Sequence, residues 1–276
     1  MAVVCEIVER ALGRGVHVDR RRELEPCHVN EDIRVRTADG RVSVEDSVAI
    51  VGQVSGKELR DRFVSNIAAM SLGLVRMRGN SMRFGPIEIL RFGRPKVTRT
   101  GVDWHIEGGL AAGSAGGQFA FRSAGGRVVA TLDGYRPRLP LGIYAVTQRP
   151  FHHLVMRLHL LWVRGRIPSS GVPAGPARRL EAGAIDVALC AAVAMTAGRG
   201  RRLPALVGIT LAYHVACWSI SGRTVGGLIT GQRVVSVDGS PVSAGQSLVR
   251  LAALPLAALR LRAVHDQVAG TEVVAD

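Results

Sequence analysis

Two long apolar runs in the last third of the chain limit its fold more than any other feature. The first covers residues 182–198, 17 residues with Asp186 as the only formal charge, and the second covers residues 203–221, 19 residues with none. A helix needs about 20 mostly apolar residues, with a range of about 17–25, to cross a bilayer. The pair predicts two membrane-spanning helices joined by Arg199-Gly-Arg-Arg202. A buried helical bundle in a soluble protein is the alternative.

A third run, residues 247–263, is broken by Arg250, Arg260 and Arg262, and only residues 251–259 form an uninterrupted stretch. That stretch is too short to cross a bilayer alone. The run predicts either a third span whose arginines lie against protein, or a helix at the membrane surface.

The chain before these runs has a different character. Residues 167–176 hold three prolines, two glycines and two serines, a composition typical of a linker. We therefore predict a soluble α+β domain over residues 1–167, a linker over residues 168–177, and an all-α transmembrane module of two to three helices over residues 178–274.

The soluble half alternates strand and helix patterns. An Asp-Gly turn between two alternating runs predicts a hairpin around residues 38–40, and apolar spacings of three and four predict a helix over residues 57–75. Short strand-like runs between residues 86 and 139 predict an antiparallel meander, and residues 151–163 predict a helix. Strands followed by a covering helix resemble helix-grip lipid-binding folds in shape.

Charge and cysteine usage exclude several classes of protein. The chain carries 36 Lys+Arg against 22 Asp+Glu, a net charge of +14. Arg20-Arg-Arg22 is flanked by acidic residues, which favours a solvated loop over a contact with nucleic acid. We expect the overall positive charge to attract anionic lipid headgroups, and we expect no nucleic acid as a partner. The four cysteines have no CxxC spacing, which argues against a zinc or redox motif. The first residues do not form a signal peptide.

Four separated segments in the C-terminal part carry a family resemblance: residues 178–186, 222–239, 246–250 and 265–271. Over residues 177–274 the chain resembles the RDD family of small bacterial membrane proteins. The resemblance implies an integral membrane protein with a proposed role in transport, and it supplies no reaction. The motif residues that it marks as candidate functional residues are Arg179, Asp186, Asp266, Gly222, Arg223, Thr224, Gly231, Arg233, His265 and Thr271.

Arg179 and Asp186 are seven residues apart, so they lie on one face of a helix. A carboxylate inside an apolar run is costly unless it is paired or wetted. The favoured interpretation is a polar clamp between helices that holds Asp186 to Arg179 or Arg250, and the alternative is a proton or cation relay. His214 in the second run predicts a hydrogen-bonded helix contact in preference to a metal site.

Three further patterns allow a bland and a functional interpretation. The glycine-rich segment 222–239 lacks a phosphate-loop ending, so it predicts a tight loop at the membrane surface followed by a hairpin over residues 233–242. His152, His153 and His159 predict a polar helix face in preference to a metal site. Residues 135–138, Tyr-Arg-Pro-Arg, line either a pocket or the core.

No catalytic constellation is visible, so we predict a non-enzymatic accessory or scaffold protein without a cofactor that supports transport of lipids or small solutes. The alternatives are a small homo-oligomeric proton- or cation-coupled transporter that uses Asp186, and a lipid-binding membrane sensor. The expected partners are the lipid bilayer, other membrane transport subunits and further copies of the chain. The arginine distribution around the two runs favours a multi-pass plasma-membrane protein with a cytoplasmic N-terminal domain.

Overall fold

The computed structural model describes residues 33–256 and 263–276 of the chain. The basic segment at residues 20–22, Cys5, Cys27, Arg260 and Arg262 lie outside the described residues.

The N-terminal region is built on an antiparallel sheet. Its strand order is β1-β2-β9-β8-β7-β5-β4-β3, with the short β6 paired to β7. The predicted hairpin joins the first two strands, and both turn residues, Asp39 and Gly40, have the positive φ that a two-residue hairpin favours. The strands are β1 Ile33–Ala38, β2 Arg41–Ala49, β3 Val75–Arg78, β4 Ser81–Phe84, β5 Ile87–Phe92, β6 Lys96–Val97, β7 Gly101–Gly108, β8 Gln118–Ala124 and β9 Arg127–Tyr135.

Helices pack on this sheet through an aromatic core. The helices of the region are α1 Gly56–Met70, α2 Leu141–Val146 and α3 Gln148–Arg164. Phe63 of α1 lies 5.2 Å from both Phe119 and Phe121, measured between ring centroids, and His159 of α3 meets Phe63 edge-on at 5.5 Å. The predicted helices over residues 57–75 and 151–163 are thus present, although the first ends at Met70.

The C-terminal region is mainly helical, but the prediction of an all-α module was wrong, because two strands of this region pair in an antiparallel sheet. Two long helices run antiparallel through a 3-10 turn at Arg199–Arg201, and shorter elements gather where the pair begins and ends. The elements are α4 Pro176–Met195, α5 Arg202–Ile220, α6 Val225–Thr230, β10 Gln232–Ser236, α7 Ala244–Ala252, α8 Val264–Ala269 and β11 Thr271–Ala275.

Among the described residues, one helix is long and apolar enough to cross a membrane, Arg199–Ile220, and only 11% of its most apolar stretch is buried. The α4 helix has 20 residues but carries charges at Arg178, Arg179, Glu181 and Asp186. Both helices nevertheless expose apolar side chains. The large exposed ones are Leu180, Val187, Leu189, Val193, Met195, Leu203, Val207, Leu211 and Ile220.

Two local predictions were wrong. The described part of the third apolar run is not one continuous helix, because α7 ends at Ala252 and a turn follows at Ala253, two residues before Pro255. Residues 233–242 do not form a hairpin of their own. The Asp238-Gly239 turn is present, but β10 pairs with β11, from Gln232 opposite Ala275 to Ser236 opposite Thr271.

The α3 helix lies between the sheet and the C-terminal elements. Arg157 pairs with Asp238 at 2.7 Å, and the Trp162 indole N–H donates to the Val268 carbonyl at 3.2 Å. On the sheet side, His159 contacts the aromatic core. A helix buried on opposite faces belongs to two layers at once.

The predicted linker contains no helix over residues 167–175, yet hydrogen bonds fix it along β11. The Ser169 and Ser170 hydroxyls each donate to Glu272 at 2.8 Å, and Ala174 N donates to the Val273 carbonyl at 2.9 Å. The segment is therefore a docked connection between α3 and α4.

Candidate functional site

The motif residues form two buried carboxylate centres. We call the first the Asp266 centre, formed by Asp266, Arg179, Arg250, His265 and Thr271, and the second the Asp186 centre, formed by Asp186, Tyr213 and the N-terminus of α6. Arg179 and Asp186 are seven residues apart on α4, which separates these two residues by about 10 Å along the helix axis.

At the Asp266 centre a fully buried carboxylate faces two guanidinium groups. Arg250 Nη1 donates to Asp266 Oδ1, and Arg179 Nη1 donates to Oδ2 at 3.1 Å. The Thr271 hydroxyl donates to Oδ1 at 3.0 Å and accepts from Arg250 Nη1 at 3.1 Å. Every one of these side chains except Arg179 is at least nine-tenths buried. This pairing offsets the large desolvation cost that a lone buried ion would carry, although the buried Arg250 Nε has no hydrogen-bond partner among the described residues.

Arg179 also ties the centre to the backbone. Its Nε donates to the Ala174 carbonyl at 3.0 Å and its Nη2 donates to the Val273 carbonyl at 3.2 Å. One guanidinium thereby joins the start of α4, the linker and β11. The fork of five N–H groups makes arginine suited to a three-way contact of this kind.

His265 lies beside the same carboxylate, with its Nε2 3.7 Å from Asp266 Oδ2. Burial, reinforced by Arg250, Arg179 and Arg166, lowers the pKa of His265 even though Asp266 acts in the opposite direction. The imidazole is therefore neutral at pH 7, and Arg179 and Arg250 supply the positive charge of the centre.

At the Asp186 centre the carboxylate is held by uncharged donors. Asp186 Oδ1 accepts from the Tyr213 hydroxyl at 2.7 Å and from the backbone N–H of Gly226 at 2.8 Å. Gly226 is in the first turn of α6, where backbone N–H groups lack partners within the helix. Thr224 caps the same helix by accepting from Gly227 N at 3.0 Å. A carboxylate at a helix N-terminus is favoured by the helix dipole.

A close approach of two backbones makes this contact possible. A Cβ atom built on Gly226 would lie 2.2 Å from the Ala182 carbonyl oxygen of α4. Only glycine fits there, so the first turn of α6 packs directly against the backbone of α4 at Ala182.

The remaining motif residues lie in the segments on either side of α6. Gly222 has a φ of 71°, and its carbonyl accepts from Val234 N at 2.7 Å. Gly231 ends α6 in the left-handed conformation. Arg223 pairs with Asp276 at 2.7 Å, and Arg233 lies 3.7 Å from the same carboxylate. These four residues thus hold the loop and the strand that follows.

The predicted pairing of Asp186 was wrong. Arg179 and Arg250, its two expected partners, both bind Asp266. The helical spacing placed Arg179 and Asp186 on one face correctly, but the Arg179 side chain extends to Ala174, Asp266 and Val273, away from Asp186.

Sequence reasoning missed Tyr213 and Gln246. Gln246 is fully buried, and its Nε2 donates to Ser236 Oγ at 2.8 Å and to the Ala269 carbonyl at 3.1 Å. The signal for this residue was the Ser243–Gln246 spacing of a capping box, which the helix start of α7 contains. Tyr213 had no such local signal.

The histidines are distributed differently from the prediction. A polar face on α3 is wrong, because His159 is completely buried and His153 Nδ1 lies 3.0 Å from the buried Asp46. His214 contacts the carbonyl of Thr210 on its own helix at 2.9 Å. In the described parts of the chain no group of three His, Cys, Asp or Glu side chains is placed to hold a metal ion.

Among the described residues, the C-terminal region contains one helix that is long and apolar enough to cross a membrane, with two buried carboxylates nearby. Residues 173–264 match the model of the RDD family, which confirms the predicted resemblance. The matched residues make up a third of the chain, the N-terminal sheet region has no family match, and His265, Asp266 and Thr271 lie just beyond the matched range. No curated protein and no solved structure matches the chain. The family and the apolar helix together indicate a membrane protein.

Proposed function

We propose that the protein is a non-enzymatic accessory or scaffold protein of the plasma membrane, which holds its sheet domain at the bilayer surface and supports transport of lipids or small solutes by partner subunits. The observation that carries this proposal is the position of α3. Its Arg157 pairs with Asp238 and its Trp162 donates to Val268, while its other side completes the aromatic core of the sheet. A domain attached in this way has a fixed position relative to the membrane helices.

The state of the Asp266 carboxylate supports the same proposal. Both of its oxygens accept charged hydrogen bonds from arginine. Groups occupied in this way serve to join elements. A catalytic carboxylate needs a free oxygen and access for a substrate.

Affinity purification of the full chain from native membranes tests the proposal. We expect membrane transport subunits to copurify with the wild-type chain and to be reduced when Asp238→Ala breaks the contact with α3. Asp103→Ala is the matched control, since it removes an exposed ion pair with Arg122 within the sheet. Recovery of the wild-type chain without any membrane partner would contradict the proposal.

The proposed topology has two spans and a cytoplasmic N-terminal domain. The α4 helix is 20 residues long, about 30 Å at 1.5 Å per residue, which matches the bilayer core. Arg164, Arg166, Arg178 and Arg179 precede its apolar run, residues 182–198, and positive charge favours the cytoplasmic side. A cysteine introduced at Gly200 in a cysteine-free chain should react with a membrane-impermeant reagent in intact cells. Reaction only after permeabilisation would show that the orientation is the opposite of the proposed one.

A second candidate is a proton- or cation-coupled transporter, and the burial of Asp186 halfway along α4 favours it. Purified chain in liposomes distinguishes the two functions. Ion flux that disappears in Asp186→Asn while the protein stays folded would support the transporter, and absence of flux would support the accessory role.

A further inference from the structure

The sheet domain contains a pocket that neither carboxylate centre uses. Its volume is about 420 Å³ and its lining is mostly apolar. Ile89, Leu110, Ala111, Arg138, Leu139 and Gln148 line it. A larger groove of about 520 Å³ elsewhere in the domain is lined mainly by charged side chains. Small-molecule sites are concave, mainly apolar and of about 300–1,000 Å³, with a few polar groups that fix orientation.

Backbone hydrogen bonds hold the walls of this pocket in place. On one side Leu110 N and Ala111 N donate to the carbonyls of Glu88 and Ile89 at 2.9 and 3.0 Å. On the other side Arg138 N donates to the Ala111 carbonyl at 3.0 Å. The pocket therefore exists before any ligand arrives, which lowers the entropic cost of binding.

Two polar groups of the lining are available to a ligand. Gln148 Oε1 is buried without a hydrogen bond among the described residues. Arg138 has one long contact from its Nε to the Ala112 carbonyl at 3.4 Å, and within residues 33–256 and 263–276 it has no ion-pair partner. The Arg138 side chain is exposed, and a solvent-accessible guanidinium without an ion pair can bind a carboxylate or a phosphate group.

The mouth of the pocket is itself apolar. Leu110 is 54% exposed and Leu139 is 40% exposed, so both reach beyond the lining into solvent. The exposed leucines surround an apolar pocket beside the Arg138 guanidinium. This combination fits a ligand with a hydrocarbon part and one anionic group. Molecules of this kind are present in a lipid bilayer.

We propose that this pocket binds an anionic amphiphile, with the hydrocarbon chain against Ile89, Leu110 and Leu139 and the carboxylate or phosphate on Arg138. The Gln148 carbonyl oxygen accepts a hydrogen bond from a hydroxyl or N–H of the ligand where one is present. Free fatty acids and bilayer phospholipids share this chemistry.

Photolabelling of the full chain in phosphatidylcholine nanodiscs tests the proposal and separates the two sources. One arm uses a diazirine fatty acid, a second uses phosphatidylglycerol with a diazirine acyl chain, and a third uses the methyl ester of the fatty acid. Mass spectrometry of the peptides locates the labelled residues, so that labelling from lipid around the membrane helices is counted separately.

We expect labels on Ile89, Leu110, Ala111 or Leu139 from at least one charged probe. Arg138→Gln should reduce this labelling about tenfold, as loss of a charge-assisted hydrogen bond does. The methyl ester lacks the negative charge, so we expect it to label the wild-type pocket only weakly. Its labelling should be about equal to that of Arg138→Gln by the charged fatty acid. The matched control is Arg136→Gln, which removes the same charge two residues away outside the lining and should leave labelling unchanged.

Labelling by the fatty acid alone would support the proposal with a free amphiphile as ligand, and labelling by phosphatidylglycerol alone would support it with a bilayer lipid. Absence of label from the pocket residues with both charged probes would overturn it. Equal labelling of Arg138→Gln and Arg136→Gln would overturn it too, provided that both variants unfold at the wild-type temperature.

Discussion

Asp186 and Asp266 are both at least 96% buried, yet the protein compensates their charge in different ways. Asp266 faces two arginines, and Asp186 faces a tyrosine hydroxyl and the first turn of a helix. The difference follows their positions. Asp266 lies among elements that meet beyond the apolar run of α4, where arginines reach it from α4 and α7. Asp186 lies within that run, where an arginine would be costly.

The two aspartates therefore differ in which groups become unpaired when the carboxylate is removed. Loss of Asp266 leaves two cations unpaired, one of them buried, and loss of Asp186 leaves two neutral donors unpaired. Unpaired buried charges cost more than unpaired neutral groups. The predictions below test this order.

The largest effect is expected for Asp266→Ala. Because Arg250 and Arg179 would lose their shared carboxylate, we expect the free energy of unfolding to fall by about 3–5 kcal/mol. Thermal unfolding of the full chain in detergent measures it. Asp103→Ala, which removes an exposed ion pair, should change stability by about 0–1 kcal/mol, and an equal effect of both variants would refute the charge argument.

Asp186→Ala should have a smaller effect, about 1–3 kcal/mol, since it strands the Gly226 N–H and the Tyr213 hydroxyl. Asp186→Asn should be milder, because its amide oxygen still accepts from either donor. The same unfolding measurement applies. The double exchange Arg179→Asp with Asp186→Arg should not rescue stability, because Arg179 pairs with Asp266; a rescue would restore the pairing expected from the sequence.

Gly226→Ala tests the backbone approach that allows the Asp186 contact. Its Cβ would meet the Ala182 carbonyl oxygen at 2.2 Å, so α6 must shift away from α4, at a cost of about 1–3 kcal/mol. Gly183→Ala on α4 is the control, since a Cβ there meets nothing within 4 Å. We expect the control to keep or raise the unfolding temperature, and a neutral Gly226→Ala would show that α6 is not tightly docked.

His159 offers the smallest effect and a third way of handling a buried titratable group, which is to keep it uncharged. Burial lowers the pKa of His159 to about 3, so the unfolded chain binds a proton below pH 6.5 that the folded chain does not. Stability therefore falls as the pH drops below 6.5, by about 1 kcal/mol between pH 6.5 and 5.5 from this residue.

Unfolding midpoints across that pH range measure the effect. His159→Gln should make the dependence shallower, and His152, whose pKa is lowered by burial to about 4, should retain part of it. His105→Gln, at an exposed position of β7, is the control. An identical slope in the wild-type chain and His159→Gln would contradict the neutral state of His159.

The sequence predicted those parts of the fold whose signals are local. The Asp39-Gly40 turn, the apolar spacing of α1 and the long apolar stretch of α5 each depend on neighbouring residues, and each is present. The pairing of β10 with β11 depends on contacts between distant segments, and the local alternation around Asp238-Gly239 favoured the wrong partner.

The candidate site shows the same limit. The family resemblance selected Arg179, Asp186 and Asp266, but it did not say which of them touch. Helical spacing suggested that Arg179 meets Asp186, because it describes one helix and carries no information on residues almost ninety positions later. Tyr213 became visible only when α4 and α5 were placed side by side.

The contacts of Arg179 also set a timetable for biosynthesis. Its partners Asp266 and Val273 follow it by 87 and 94 residues along the chain. At the usual 5–20 residues per second, the ribosome delivers Asp266 roughly 4 to 17 s after Arg179. During this interval Arg179 lacks its carboxylate partner, and an unpaired guanidinium is more stable in water than in an apolar environment. The contacts of Arg179 with Asp266 and Val273 can form only after α8 and β11 have been synthesised.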